Sequence, residues 1–259
     1  MSQPRKILML HGNILSRYSQ NASIFSKRLG ALRKALDKDI ELVFLDGPIV
    51  LQPIDLDGDS SNASLSALGA SEAAVTSSDP TLVPRAWWKA NPERTVARGL
   101  EESLVVLRDV LQRDRYDGVF GFSQGAAMAA LLAALLEKPE TYPPFLIDGN
   151  PPHPRFQFCV AVSGFKVSDP ISNKIFGDSY ETPTLHVIGN TDVVVVEERS
   201  RALLKVSTNA RVEEHAGGHF VPSQTRWRSF WREYLRNPNG DQGPRLTLEA
   251  STPVTVNRL

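Results

Sequence analysis

Cysteine is almost missing from this 259-residue chain: Cys159 is the only one. No disulfide can close within the chain, which fits a reducing compartment. Its setting, Phe158-Cys159-Val160-Ala161-Val162, reads as a buried strand, so the thiol is neither a nucleophile nor a ligand. Net charge is also missing, with 29 Lys and Arg against 29 Asp and Glu. That balance removes any global electrostatic case for nucleic acid or an acidic membrane as partner. Apolar runs long enough to cross a membrane are absent too. Only Ile7 to Leu10 follow Met1 to Lys6 as an unbroken apolar stretch, which predicts no signal peptide and no membrane span. The expected location is cytoplasmic. The C-terminal Asn257-Arg258-Leu259 loosely matches a peroxisomal address and is the competing signal.

Basic residues vanish altogether between Ile49 and Pro84, a stretch rich in Ser, Ala, Asp and Gly. A connection this long inside a compact domain predicts a lid or loop insertion near an active-site mouth. Within it, Asp55-Leu56-Asp57-Gly58-Asp59 has the look of a calcium loop, but Ser66 stands where the bidentate Glu is needed. No metal site is expected.

What remains is a regular alternation. Strands are predicted at 7–10, 41–45, 118–120, 157–162, 184–188 and 211–214. Helices are predicted at 23–36, 92–111, 194–206 and 223–235, with Asn91 as N-cap and Pro92 as first residue of the second. This order predicts an α/β fold, a mostly parallel sheet with helices on both faces and its site at the strands' carboxyl ends. One domain over 1–236 is expected, with a loosely held polar tail over 237–259.

Against that frame, Gly121-Phe122-Ser123-Gln124-Gly125 stands between the strand and an Ala- and Leu-rich helical run. Strand, G-x-S-x-G and helix together form a nucleophile elbow: the turn at the serine leaves no room for side chains on either side. Such a serine needs a base and an acid, supplied in the chain order Ser, acid, His. Of five histidines, His219 in Gly217-Gly218-His219-Phe220 follows the last strand and is the expected base. His215 is the rival, His186 alternates within a strand as a core residue, and His153 lies in a Pro-rich loop. Asp192, after Gly189-Asn190-Thr191, is the expected acid, able to hold the imidazole in one tautomer. Asp46 and Asp169 are the competing carboxylates. The oxyanion donors are expected to be the backbone N–H groups of Gln124 and of Asn13, with Ile14 second, in the loop after the first strand. Ile14, Trp87, Phe122 and Phe220 are candidates for the substrate pocket. Core packing is the alternative for the aromatic three. The Arg226, Arg228, Arg232 and Arg236 face of the last helix is a solvated surface or a dock for an acidic acyl carrier.

These segments together resemble a known family. His11-Gly12-Asn13, Phe44-Leu45-Asp46-Gly47-Pro48, Arg85-Ala86-Trp87-Trp88 and the elbow look like the fungal serine hydrolase family. So do Gly189-Asn190-Thr191-Asp192 and Gly217-Gly218-His219-Phe220-Val221-Pro222. The resemblance runs from Lys6 to Tyr234. It implies an α/β-hydrolase fold, no cofactor, and the triad Ser123, Asp192 and His219. It also implies a small acyl ester or thioester as substrate, including a product held on an acyl carrier protein, as in thioesterases that release fungal polyketides. Two other readings stay open: an acyltransferase using the same triad, and a non-catalytic binding module on the same fold.

Overall fold

The computed structural model describes residues 4–12, 21–36, 38–51, 83–238 and 240. The strands are β1 (Arg5–Leu10), β2 (Ile40–Leu45), β3 (Ile49–Val50), β4 (Arg85–Ala86), β5 (Lys89–Ala90) and β6 (Ala97–Arg98), then β7 (Gly118–Phe122), β8 (Phe158–Val162), β9 (Thr184–Gly189) and β10 (Ala210–His215). Six of them form one sheet in the order β10-β9-β8-β7-β1-β2, with every neighbouring pair parallel. The helices are α1 (Ala22–Arg28), α2 (Gly30–Ala35), α3 (Leu100–Arg113), α4 (Gln124–Glu137), α5 (Pro170–Phe176), α6 (Glu197–Leu204) and α7 (Thr225–Arg236).

Side-chain alternation along β1 shows how two cores form. Leu8 and Leu10 face one side with α3, α4 and α5. Ile7 and Met9 face the other with Phe25, Leu32 and the Trp227, Phe230, Trp231, Tyr234 and Leu235 face of α7. Strands β7, β8 and β9 are buried throughout, as parallel strands covered on both faces must be. Helix α4 is buried at all fourteen positions. Alanine at six of them and glycine at one let it lie close to the sheet without a polar stripe. The α/β-hydrolase expectation therefore holds.

One expected helix is shorter than its pattern. Instead of running from Pro92, α3 starts at Leu100 after Gly99, whose φ is +88°. Residues 89–98 form a small hairpin, β5 against β6. Asn91 caps a turn there rather than a helix, its Oδ1 accepting from the N–H groups of Thr95 and Val96 at 2.8 Å each. A side-chain carboxamide serves either role, and only strand pairing decides between them. The expected first helix likewise divides into α1 and α2 at Leu29.

The ends of the 49–84 stretch are held: β3 pairs antiparallel with β4, and Leu51 N–H donates to Pro84 O at 3.0 Å. The expected lid over the rest, and the calcium-like loop inside it, lie outside the described residues. So does nearly all of the expected tail. Among the described residues no helix is long and apolar enough to cross a membrane.

Candidate active site

The strand order turns around between β1 and β7. From there β2 lies outward on one side and β8, β9 and β10 follow on the other. Carboxyl ends at such a switch point diverge and leave a crevice. Ser123 follows β7 there and Gly12 closely follows β1.

Ser123 has φ 54° and ψ −118°, a conformation that costs a non-glycine residue about 1–3 kcal/mol. The flanking glycines are obligatory. A Cβ on Gly121 would sit 2.1 Å from Gly125 O, and one on Gly125 would sit 2.1 Å from Leu10 O. Gly12 is nearly as tight, with Phe122 Cδ1 and Ser123 Cβ each 3.0 Å from its virtual Cβ. The Ser123 carbonyl accepts from the N–H groups of Ala126 and Ala127 at 3.0 and 3.1 Å. In a trans peptide the next N–H points the opposite way, so Gln124 N–H leaves the helix start facing outward. As the first residue of α4 it has no intrahelical acceptor, and the helix dipole adds positive potential there.

The structure brings Ser123, His219 and Asp192 into one hydrogen-bonded chain. His219 Nε2 lies 2.9 Å from Ser123 Oγ, and His219 Nδ1 lies 2.7 Å from Asp192 Oδ2. The carboxylate accepts a hydrogen bond from Nδ1–H and so keeps the ring's proton on Nδ1, which leaves Nε2 to accept from the serine hydroxyl. Asp192 Oδ1 is occupied by the N–H groups of Val194 and Val195, both at 2.9 Å. Burial by itself raises the Asp192 carboxyl. The hydrogen bond and charge of His219 and the Val195 N–H outweigh it and hold the group below its usual range. The bonds to Asp192 also explain why α6 begins at Glu197 rather than at 194: residues 192–195 form a turn around the carboxylate.

Glycine seats the histidine loop. Gly189, at the end of β9, has Gly218 O 2.5 Å and Gly217 O 2.6 Å from its virtual Cβ. Asn190 N–H donates to His215 O, and Thr191 N–H to Gly217 O. Acid loop and base loop are thus stitched together by backbone.

The rival residues have other partners. His215 is buried, its Nδ1 accepting from Gly217 N–H, its ring against Phe220 and Trp227. Burial pushes its imidazole below the ordinary range against the pull of Asp192. Asp46 accepts from Ala22 N–H. Asp169 accepts from Ile171 and Ala97 N–H groups and starts α5. His153 accepts from Tyr116 N–H. His186 is buried in β9 with its Nε2 unpartnered, and burial pushes it down to about 4. Cys159 lies buried in β8, its thiol pushed up to about 12 by desolvation.

Among the pocket candidates, Phe122 is buried with its ring 4.8 Å from that of His219. Phe220 is 41% exposed beside the histidine. Trp87 is fully buried, and its indole N–H donates to His11 O at 2.9 Å, a position that anchors the chain. Asn13 and Ile14 lie outside the described residues.

Two features were missed in the sequence. His11 is fully buried: its Nε2 accepts from Gly47 N–H at 2.9 Å, and its Nδ1 donates to Gly12 O at 2.7 Å. Desolvation pushes it down to about 4, so the ring is neutral. The His-Gly pair after a strand marked the loop but not this bracing role. Ser163, at the end of β8, has φ 48° and a buried hydroxyl that meets no partner at full hydrogen-bond geometry, although as a weak side-chain donor it helps hold the Asp192 carboxyl below its usual range. Nothing in Val162-Ser163-Gly164 signals it.

Comparison with known proteins shows which family the chain matches. Residues 1–231 match the family model described as Serine hydrolase (FSH1). The zebrafish Esterase OVCA2 is 33% identical over 244 residues, covering 90% of this chain and 97% of the relative. A Schizosaccharomyces pombe protein named dihydrofolate reductase is 32% identical over 237 residues, 91% of this chain but 48% of its own length, so the chain spans about half of that relative. The crystal structure of Zea mays acyl-protein thioesterase 2 superposes with a TM-score of 0.56 at 18% identity, over 91% of this chain and 94% of that one, which speaks for the fold. The Ser-centred elbow, the parallel sheet and the match over nearly the whole described chain converge: this protein belongs to the FSH1 serine hydrolase family.

Proposed function

We propose that the protein hydrolyses acyl esters or thioesters through a covalent acyl-enzyme on Ser123. The observation that carries this reading is the unbroken relay from Ser123 Oγ through His219 to Asp192, at 2.9 and 2.7 Å. His219 Nε2 takes the serine proton as Oγ bonds to the acyl carbon, and the carbonyl electrons move onto oxygen. The Gln124 N–H, with the Asn13 N–H as its expected partner, receives that oxyanion. On collapse the C–O or C–S bond breaks, and the departing alcohol or thiol takes the proton from His219. Water then repeats the sequence, giving up a proton to His219 and releasing the acid and free Ser123. Asp192 stays ionised throughout, since its carboxyl is held below the usual range.

Within this class we propose a thioester, including one presented by an acyl carrier protein for release of an acyl or polyketide product, as the preferred substrate. A thiolate leaves without strong protonation, which suits a site where, among the described residues, His219 is the proton donor. The setting we propose is the cytoplasm, in fungal secondary metabolism. The test compares matched acyl thioesters, oxygen esters and peptides with purified protein, alongside fluorophosphonate labelling. Labelling at Ser123 with thioester turnover above ester turnover supports the proposal. Preference for peptides, or no labelling at Ser123, overturns it.

A further inference from the structure

The Gln124 side chain does something that its backbone role does not require. Its Oε1 accepts from Trp87 N–H at 2.7 Å and its Nε2 donates to Trp88 O at 2.9 Å. Both bonds are buried, and one carboxamide orientation satisfies both. The segment it grips is itself fixed. Ser103 Oγ donates to Trp87 O, Trp87 Nε1 donates to His11 O at 2.9 Å, and the Trp88 ring packs edge-on against Phe165. Immediately upstream, Ser123 holds φ 54°, a conformation from which the backbone gains by rotating away. Such a rotation swings the 123–124 peptide and with it the Gln124 N–H.

We propose that the Gln124 carboxamide is a positioning group. By clamping the Trp87-Trp88 backbone it holds residue 124 against relaxation of the strained elbow and keeps its N–H aimed at the developing oxyanion. The proposal rests on the hydrolase reading above and adds a residue role to it. Satisfying two buried backbone groups is a sufficient structural reason for a glutamine here, so the test must separate holding the fold from aiming the donor.

The experiment uses Gln124→Met, similar in size but without either bond, with three readouts below the melting transition. These are kcat, KM, and affinity for a trifluoromethyl ketone, which adds to the serine and places an oxyanion in the hole. A misaimed donor costs less than a deleted one, so kcat should fall by about 10- to 100-fold with KM within about threefold. Ketone affinity should fall by the same factor as kcat. Should Gln124→Met fail to fold, Ser103→Ala releases Trp87 from the far side of the clamp. It should lower kcat and ketone affinity together by about three- to tenfold. A lowered melting temperature with unchanged kcat, or a raised KM with unchanged kcat, overturns the proposal. A wild-type chain inert to both substrate and ketone overturns the hydrolase reading and this one with it. An active wild type whose Gln124→Met variant behaves identically overturns this one alone.

Discussion

Strands β7 and β8 lie side by side and end in the same way. Each runs into a serine with positive φ, 54° at Ser123 and 48° at Ser163. Each serine N–H donates to the next strand over, to Val162 O at 2.9 Å and to Val187 O at 2.8 Å. Beyond that they diverge. Ser123 is followed at once by the fourteen-residue α4, and its hydroxyl meets His219. Ser163 is followed by a loop before α5 begins at Pro170, and its hydroxyl meets no partner at full hydrogen-bond geometry. A strained serine at a strand end is therefore not enough. What distinguishes the first is convergence: a helix start behind it, an imidazole in front, and a place at the switch point of the strand order.

The most severe way to break that comparison is to exchange hydroxyl for hydrogen at each turn. Ser123→Ala should lower kcat by roughly 10³-fold or more with the melting temperature nearly unchanged, measured on an acyl thioester. Activity within tenfold of wild type would show that the two serines differ less than proposed.

The histidines provide the next contrast. His219→Ala should be about as damaging as the serine change, because triad members act as a unit. His215→Ala removes a buried ring packed on Phe220 and Trp227, so it should cost about 1–3 kcal/mol of stability and keep kcat within about tenfold. Kinetics and thermal melts of both variants would expose a reversed assignment.

Glycine substitution sharpens the comparison from the backbone side. A Cβ at Gly125 meets backbone at 2.1 Å, whereas one at Gly164 meets side-chain atoms of Leu203, Ala126 and Ala161 at 3.1–3.2 Å. Gly125→Ala should abolish activity and yield little folded protein. Gly164→Ala should cost no more than about 1–3 kcal/mol, read by denaturant melts.

Acid should act on the buried histidines rather than on the serines. His11 and His186 are pushed down to about 4 from 6.5 by burial. The unfolded chain takes up protons that the folded chain refuses, so stability is complete above about pH 6.5 and is lost as pH falls toward 4. Each contributes up to ~3 kcal/mol of that slope. Melting temperature against pH for wild type and His186→Leu would measure it: the variant should slope less steeply.

Ser163→Ala carries the smallest effect. It removes a buried hydroxyl whose desolvation costs about 1–3 kcal/mol and which returns only a weak contribution to the Asp192 carboxyl, so the melting temperature should hold or rise while kcat changes by less than about fivefold. A loss of activity comparable to that of Ser123→Ala would put the second serine inside the reaction.

Much of this was legible in the chain. The alternation of apolar strands with amphipathic helices has one dominant solution, and the observed sheet follows it. The G-x-S-x-G frame is half local: the clash that demands Gly121 is with Gly125 O inside the motif, whereas the one that demands Gly125 is with Leu10 O of the neighbouring strand's end. Chain order set aside only Asp46. Asp192 and His219 were preferred to Asp169 and His215 because each lies in a loop directly after a strand, and the carboxyl-end loops of a parallel sheet open on the same edge. The hairpin over 89–98 was not legible, since Asn-Pro reads as a helix start until Lys89 finds Arg98 as partner.

The sequence by itself thus determined which residues are able to turn sharply, which strands are buried on both faces, and which loops carry a hydroxyl, a carboxylate and an imidazole to one edge. Those are properties of short segments, set by sterics and by the periodicity of apolar side chains. Tertiary structure alone decided that His11 is a neutral brace rather than a base, that Trp87 is an anchor, and that the Gln124 carboxamide grips the Trp87-Trp88 backbone. Each of those outcomes depends on a hydrogen-bond partner at least 36 residues away along the chain, and a partner at that separation is chosen by packing, which no local pattern records.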